Sequence, residues 1–293
     1  MRRGIAIAVL LVAAPASAQT ADPLRVNGPG DAAVVGGALA LTGLAALVPV
    51  HGGPWAHELL SVDERVKQNL SPPAALTSDV LLGVTVLGPL ALQLRGGFDE
   101  AGSHRALVYG ETIAVNLALN AITKVAVARP RPYTYNLDPA ARAQVEHSPR
   151  DSQRSFYSGH ASTTFAAAVA GAYLFSQSSD DPAARTAVWA GSLMLAGATS
   201  NLRVRAGKHF YSDVLTGAVV GTGLGVLVPA LHYGGRQPHA LLPSEWIAIG
   251  TAPLAGALLS QAIPFRERAA PVQARALPWV TGRGAGVMVA GVF

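Results

Sequence analysis

The sequence contains no cysteine among its 293 residues. This absence excludes disulfide bonds, zinc sites built on cysteine and catalysis by a thiol. Charged residues are also scarce, at 13%, whereas half of all residues are hydrophobic. The chain is therefore too apolar for a disordered protein and has few charges for an ordinary soluble domain. The net charge of +5 is modest and no long run of lysine and arginine occurs, so nucleic-acid binding has little support.

Apolar segments that are long enough for helices recur along most of the chain. Gly, Ala and Leu outnumber β-branched residues in most of them, which favours helix over strand. Residues that commonly begin helices precede several segments, namely Asp31, Ser78 with Asp79, and Ser212 with Asp213. We predict an all-α fold, a bundle of about six main helices. These helices correspond to the segments 32–50, 79–95, 105–123, 161–176, 186–199 and 214–231.

The two ends of the chain differ from this pattern. Residues 1–18 combine a basic start, a short apolar core and the small residues Ala16-Ser17-Ala18, which is typical of a signal peptide. The alternative is a retained membrane helix, but the apolar core is short for a span. We expect cleavage after Ala18, export to the periplasm and a helical-bundle domain over 19–232. Residues 233–293 are predicted to be a tail of loop and two short strands around Gly282-Arg283-Gly284.

The sequence leaves open whether the helices cross a membrane. Segment 32–50 is long enough to cross about 28 Å at 1.5 Å per residue. Segment 105–123 contains Glu111, Asn116 and Asn120, which are costly in lipid unless they face a protein interior. We favour an exported bundle that is soluble, or associated with the periplasmic face of a membrane, over a protein with several spans.

Three polar clusters interrupt the apolar pattern, and the first is "KVAVARPRPYTYN". Lys124 and Arg131 are seven residues apart, so a helix would place both on one face. The run Arg129-Pro130-Arg131-Pro132 would break that helix and hold guanidinium groups at its end. Considered alone, this cluster fits a basic patch beside a membrane equally well.

The second and third clusters each contain a histidine. In Ser158-Gly159-His160, the serine hydroxyl and backbone N–H groups at a helix N-terminus would form a cradle for an oxyanion or a phosphate. Glycine would let the backbone approach such a ligand closely. In "LRVRAGKHFYSDVLTG", Asp213 follows His209 by four residues and can accept the imidazole N–H, which fixes the tautomer. Each cluster alone is better explained as an ordinary capped turn or a surface His–Asp pair.

Together, the three clusters closely resemble the three-part signature of the type 2 phosphatidic acid phosphatase superfamily. That group also includes bacterial nonspecific acid phosphatases and vanadium haloperoxidases. The matching positions, in chain order, are Lys124-x6-Arg131-Pro132, Ser158-Gly159-His160 and Arg203-x5-His209-x3-Asp213.

Two positions depart from the family pattern. Tyr157 stands where the family usually has Pro, and Leu202 stands where it usually has Ser. Neither change removes a catalytic group, so we expect an effect on efficiency and substrate range rather than on the class of reaction.

The resemblance implies a phosphatase with a phosphohistidine intermediate. His209 would attack phosphorus while Asp213 orients its ring, and His160 would protonate the leaving alcohol and then activate water. The other signature residues would hold the phosphoryl oxygens, namely Lys124, Arg131, Ser158, Gly159 and Arg203. Three fixed cations can replace metal ions in this role, and the sequence shows no acidic ligand cluster, so no metal cofactor is expected.

Three functions remain open from the sequence. The first is an exported phosphatase that acts on phosphomonoesters or on lipid monophosphates or diphosphates, with vanadate as an inhibitor. The second fills the same pocket with vanadate as a prosthetic group and is a haloperoxidase. The third is a non-enzymatic envelope protein, suggested by the glycine-rich tail. No nucleic-acid partner is expected, and the sequence does not indicate an oligomeric state. Neighbours of the signature are interpreted as solvated or rim residues, namely Arg129, His147, Arg205 and Lys208.

Overall fold

A computed structural model describes residues 24–53, 60–234 and 239–265, and the backbone of 275–281 and 284–290. The predicted signal peptide, residues 1–18, lies outside the described residues, as do Gly282 and Arg283. The chain divides into a helical unit that reaches Ile263 and a second unit, Pro264–Phe293. In the second unit, strands β1 (Arg275–Thr281) and β2 (Gly284–Ala290) pair antiparallel, with the first residue of β1 opposite the last residue of β2.

The described part of the helical unit confirms the predicted all-α fold, but with more long helices than expected. Short helices are α2 (Ser61–Glu64), α5 (Pro139–His147) and α6 (Pro149–Ser152), and a 3-10 turn covers Pro132–Tyr135. Seven long helices form the bundle, rather than about six. They are α1 (Gly28–Leu47), α3 (Pro72–Gln93), α4 (Glu100–Val127), α7 (Gly159–Gln177), α8 (Pro182–Arg205), α9 (Tyr211–Tyr233) and α10 (Pro243–Gln261).

Helix α10 lies in the segment that the sequence predicts to be loop and short strands. Its prolines explain the difference, because Pro243 and Pro253 resemble turn signals. Pro243 instead occupies the first helical turn, where no backbone N–H is required. Glu245 accepts a hydrogen bond from the N–H of Leu242 at 2.6 Å, and it forms an ion pair with Arg185 of α8 at 2.8 Å. This buried carboxylate therefore begins the helix and attaches it to the bundle.

Helix α3 begins at Pro72, one to two turns before the start that the sequence predicts near Asp79. Ser71 is its N-cap and accepts a hydrogen bond from the N–H of Ala74 at 3.4 Å. Ser78 and Asp79 consequently lie within the helix rather than at its first turn. This frees both side chains for contacts with other helices, which matter at the site described below.

Helix α7 forms the centre of the bundle. Every residue from Ala161 to Gln177 is buried, and α3, α4, α8 and α9 all pack against this helix. A Cβ atom at Gly221 of α9 would lie 2.2 Å from the carbonyl oxygen of Ser162. Only glycine permits this approach, because any side chain would overlap the α7 backbone.

The polar residues of α4 face the interior of the protein. Glu111, Asn116 and Asn120 are all less than 10% exposed. Asn116 donates a hydrogen bond to Oγ1 of Thr163 at 3.0 Å, and Asn120 donates to the carbonyl of Tyr157 at 2.9 Å. These residues are therefore no obstacle to placing α4 in a lipid bilayer.

Among the residues that the structure describes, four helical segments are long and apolar enough to cross a membrane. They are Gly28–Leu47, Pro72–Gln93, Glu100–Tyr135 and Tyr211–Tyr233. Much of their apolar surface faces outward, and only 11% of the α1 segment is buried inside the protein. Leu39, Leu87 and Val219 are 50%, 64% and 72% exposed. Apolar surface on this scale is unusual for a soluble monomer and fits association with a membrane.

Candidate active site

The candidate site lies at one end of the bundle, where α4 and α8 end and α7 and α9 begin. Lys124 is in the last turn of α4 and Arg203 is in the last turn of α8. Ser158 is the N-cap of α7, and Asp213 lies in the first turn of α9. The three sequence clusters therefore meet because the helices that carry them alternate in direction.

The start of α7 lies directly against α4 and α9. The N–H of Ser158 donates to the carbonyl oxygen of Asp213 at 3.0 Å, which joins the first turns of α7 and α9. A Cβ atom at Gly159 would lie 2.8 Å from Oδ1 of Asn120 and 3.6 Å from Nζ of Lys124. Glycine at this position therefore leaves room for the lysine ammonium beside the N-terminus of α7, a suitable place for a phosphate.

Two arginines of the signature are buried and held by carboxylates. Arg131 donates to the side chain of Asp151 at 2.6 Å and to its carbonyl oxygen at 2.9 Å. Arg203 donates from Nη1 to Asp79 and to Ser78, at 3.1 Å in each case. Both arginines are 5% exposed. Their guanidinium groups are thus fixed cations that keep further N–H donors for a ligand.

His209 lies between α8 and α9 and is almost completely buried. Its Nδ1 is 3.6 Å from Oδ2 of Asp213, which is too long for a hydrogen bond, and no other described residue bonds to Nδ1. Burial, reinforced by the charges of Arg131, Lys124 and Arg203, lowers the pKa of His209 well below its ordinary value. The imidazole is therefore neutral at neutral pH, with a lone pair available for attack.

His160 contacts a residue that the sequence does not place in the site. Its Nε2 lies 2.7 Å from Oδ1 of Asp79, which also accepts the hydrogen bond from Arg203. Burial and the charge of Arg203 lower the pKa of His160 to about 4, although the contact with Asp79 raises it. A phosphate anion in the pocket would raise this pKa again, because an opposite charge favours the protonated ring.

Arg129 is the clearest correction to the sequence interpretation, because it is a buried residue rather than a solvated one. It is 7% exposed, and its guanidinium lies 4.4 Å from the ring centre of Phe210. It donates to Asp213 at 2.7 Å and to Asp63 of α2 at 2.9 Å.

Asp213 also accepts from Oγ of Ser155 at 2.5 Å and from the N–H of Phe210 at 2.9 Å. Three donors therefore fix the carboxylate that faces His209.

The loop that carries His209 depends on Gly207, which has a positive φ of 70°. A Cβ atom there would lie 1.9 Å from the carbonyl oxygen of Asn69, and the carbonyl of Gly207 accepts from the N–H of Tyr133 at 3.2 Å. Asn69 also donates to the carbonyl of Val204 at 3.0 Å. Segments before α3 and after α4 thus hold the loop in position.

The remaining neighbours of the signature have different environments. Arg205 donates to the carbonyl oxygens of Ser260 and Ile263 and caps the end of α10, so it is not a rim residue.

Lys208 lies 5.0 Å from the ring centre of Tyr133, and burial and the charge of Arg131 lower its pKa to about 8. His147 is exposed, whereas Tyr157 and Leu202 are buried, and the carbonyl oxygen of Tyr157 accepts a hydrogen bond from Asn120 at 2.9 Å.

Cations lie around a buried, neutral histidine at the end of a helical bundle. This arrangement suits the binding and transfer of a phosphoryl group, as in a phosphatase. Residues 105–236 match the family model of the PAP2 superfamily, so the resemblance to the type 2 phosphatidic acid phosphatase superfamily is confirmed. Members of this superfamily are generally phosphatases or other hydrolases. Comparison with curated proteins and with solved structures gives no match.

All of the predicted site residues lie inside the matched region, whereas Asp63 and Asp79 lie outside it. These two carboxylates come from segments 60 or more residues before their partners in the site. No local motif marks either of them, which is why sequence reasoning missed their contribution.

Proposed function

We propose that the protein is a membrane-associated phosphatase that hydrolyses phosphate monoesters through a phosphohistidine intermediate. The observation that carries this proposal is that buried Arg131, Arg203 and His209 lie at the end of the bundle where Lys124 approaches the N-terminus of α7. The charges of Lys124, Arg131 and Arg203 all lower the pKa of His209. Two fixed arginines and a lysine beside a neutral imidazole match the charge that develops on a phosphoryl group during transfer.

In the first step, the lone pair of His209 attacks phosphorus and a P–N bond forms. The P–O bond to the alcohol breaks, and His160 gives its proton to the departing oxygen. His209 becomes positively charged, and Asp213, fixed by Arg129 and Ser155, stabilises that charge. The 3.6 Å separation between the two side chains is expected to shorten to a hydrogen bond at this stage.

In the second step, water replaces the histidine. His160, now neutral, takes a proton from a water molecule, and the oxygen of that water attacks phosphorus. The P–N bond breaks, which releases inorganic phosphate and restores neutral His209. Lys124, Arg131, Arg203, Ser158 and the Gly159 amide hold the phosphoryl oxygens in both steps. On this proposal the chemistry requires no metal ion.

The apolar surface next to the pocket favours a phosphate carried on a lipid. Val80 follows Asp79 on α3 and is 49% exposed, and Leu215 follows Asp213 by two residues on α9 and is 65% exposed. Both side chains lie on helices long and apolar enough to cross a membrane, at the level of the pocket. A lipid phosphate, or a polyprenyl diphosphate, would reach the cations while its chains contact this surface.

The experiment uses the protein in detergent, with an aryl phosphate, a short-chain phosphate and a long-chain lipid phosphate as substrates. We expect hydrolysis in the presence of a chelator, inhibition by vanadate and the highest kcat/KM for the lipid, since vanadate bonded to His209 mimics the transition state. Activity that disappears in chelator and returns only with a divalent cation would contradict the proposed chemistry. Vanadate-dependent bromide oxidation without phosphate release would favour a haloperoxidase instead.

A further inference from the structure

A second cluster of ionisable side chains lies toward the opposite end of the bundle. Asp31 in the first turn of α1, Glu111 in α4 and His232 in the last turn of α9 each offer a ligand atom, and these atoms lie within 4.8 Å of one another. Glu111 is 124 − 111 = 13 residues from Lys124, or about 20 Å along α4. His232 is 232 − 213 = 19 residues from Asp213, or about 28 Å along α9.

The distances in this cluster are longer than those of hydrogen-bonded ion pairs. Glu111 is 8% exposed, and its buried Oε2 has no hydrogen-bond partner among the described residues. Nε2 of His232 is 3.3 Å from that oxygen and 3.7 Å from Oδ1 of Asp31. A protonated imidazole bonded to a carboxylate would lie about 2.7–2.9 Å from it. Two ligand atoms on a tetrahedral zinc ion, each about 2.0–2.1 Å from the metal, lie roughly 3.4 Å apart.

Other contacts orient the two outer ligands. Nδ1 of His232 is 2.9 Å from the carbonyl oxygen of Val228, which can only accept, so Nδ1 carries a proton. Nε2 therefore faces the two carboxylates. Oδ2 of Asp31 accepts from the N–H of Asn27 at 2.9 Å, which leaves Oδ1 towards His232. Metal-binding histidines and carboxylates are commonly oriented in this way.

We infer that Asp31, Glu111 and His232 bind one divalent transition-metal ion, with water completing its coordination. Two carboxylates and one imidazole suit Zn²⁺ or Mn²⁺. The three side chains keep 10–15% exposure, which allows water and the ion to enter. The ligands are 80 and 121 residues apart (111 − 31 and 232 − 111), so the sequence shows no such cluster.

The ion would act as a clamp rather than as a catalyst. Helix α1 lies outside the region that matches the family, and little of its apolar segment is buried. The N–H of Arg25, just before α1, donates to the carbonyl of His232 at 2.9 Å and brings this end of α1 to the end of α9. A metal ion shared by the three helices would fix α1 to the bundle at this point.

The test measures metal binding directly on tag-free, full-length protein in detergent. The protein is stripped with a chelator and then dialysed against Zn²⁺ alone or Mn²⁺ alone. We expect about one ion per chain by elemental mass spectrometry, and a rise in Tm of about 5 °C at a hundredfold excess over Kd. Glu111→Gln and Asp31→Asn should lose both the ion and the rise in Tm. Glu100→Gln, at an exposed position of the same helix, is the matched control and should keep both.

Equal metal content in Glu111→Gln and the unsubstituted protein would overturn the inference, as would the absence of binding at micromolar Zn²⁺ and Mn²⁺. If Glu111→Gln does not fold, Asp31→Asn at the start of α1 gives the same test. Hydrolysis of an aryl phosphate by the metal-free protein, measured below its Tm, should persist in both variants. Failure of the metal site and failure of the proposed phosphatase are therefore separate outcomes.

Discussion

Carboxylates in the site fall into two kinds that differ in their exposure. Asp151 and Asp79, which hold Arg131 and Arg203, are 47% and 55% exposed at the side chain. Asp213, beside His209, is completely buried. A phosphate anion can compete with the two solvent-facing carboxylates for the arginines, whereas it cannot displace the buried one. The pocket thus combines cations that are available to a ligand with a carboxylate that is reserved for the histidine.

Substitution of each of the two histidines is expected to impair a different step of catalysis. His209→Ala removes the nucleophile, so no phosphoenzyme should form with any substrate. His160→Ala removes the proton donor, and the rate should fall by about a hundred- to ten-thousand-fold on an alkyl phosphate. The loss should be smaller on a nitrophenyl ester, because its departing oxygen needs less protonation. Rapid-quench labelling with radioactive phosphate measures the phosphoenzyme in each variant.

Two results would contradict these roles. If His160→Ala abolishes labelling while His209→Ala still traps acid-labile phosphate, the roles are reversed. If neither variant loses turnover, the residues of this pocket are not catalytic. His147→Ala, which changes an exposed histidine, is the control and should retain full activity.

The pH dependence follows from the low pKa of His160 in the free site. A proton donor must be protonated, and with a pKa of about 4 its protonated fraction falls as the pH rises above that value. Because kcat/KM reports the ionisation of the free enzyme, kcat/KM for an alkyl phosphate should increase as the pH is lowered from about 8 to about 5. A profile that is flat or rises towards alkaline pH would contradict the assignment.

Asp79→Asn provides the matched test of that profile. The contact with Asp79 raises the pKa of His160, so its removal should lower the pKa further. The ascending region of the profile should therefore move to lower pH, and kcat/KM near pH 6 should fall. A variant profile that coincides with that of the unsubstituted protein would show that Asp79 does not act through His160.

At the level of helices, the close contact between α7 and α9 depends on glycine on α9, because a side chain there would overlap the α7 backbone. Gly221→Ala would place a Cβ atom 2.2 Å from the Ser162 carbonyl, so we expect a destabilisation of about 1–3 kcal/mol. Gly223→Ala on the same helix meets nothing within 4 Å and should stabilise by roughly 0.5–1 kcal/mol. Thermal unfolding in detergent measures both, and equal effects of the two substitutions would contradict the packing argument.

The sequence predicts the helices whose apolar runs are unbroken and the motifs whose residues are close together. The signature positions from Lys124 to Asp213 form local patterns, and the structure brings them to one end of the bundle. The start of α3 and the presence of α10 are not predicted, because prolines at first helical turns resemble helix breaks.

Contacts between residues far apart in the chain are the part of the site that the sequence does not predict. Asp63 and Asp79 meet Arg129 and His160 across 66 and 81 residues, and neither pair has a spacing that marks it. The hydrogen bond that the sequence predicts between Asp213 and His209 is also not formed, since three other donors hold the carboxylate. Tertiary packing decides such contacts, and a single sequence contains no direct record of it.

For the whole molecule, the candidate active site and the proposed metal site occupy different ends of the same helices. Helix α4 carries Glu111 and Lys124, and α9 carries His232 and Asp213. Both helices lie within segments that are apolar enough to cross a membrane. If they do so, the pocket lies at one face of the bilayer, next to the head groups of lipid phosphates, and the metal site lies towards the other face.

If α1 crosses the membrane, lysine should have different effects at two leucines that are both exposed. Leu39 of α1 and Leu137, outside the four apolar segments, are 50% and 73% exposed, so a soluble protein should accept lysine at either position. In a bilayer, a lysine near the centre of α1 costs about 2.5–3.5 kcal/mol on insertion. We expect the unsubstituted protein and Leu137→Lys to remain in the membrane pellet after carbonate extraction, and Leu39→Lys to insert less and accumulate less. Release of the unsubstituted protein by carbonate, with equal yields of both variants, would show that these helices do not cross the membrane.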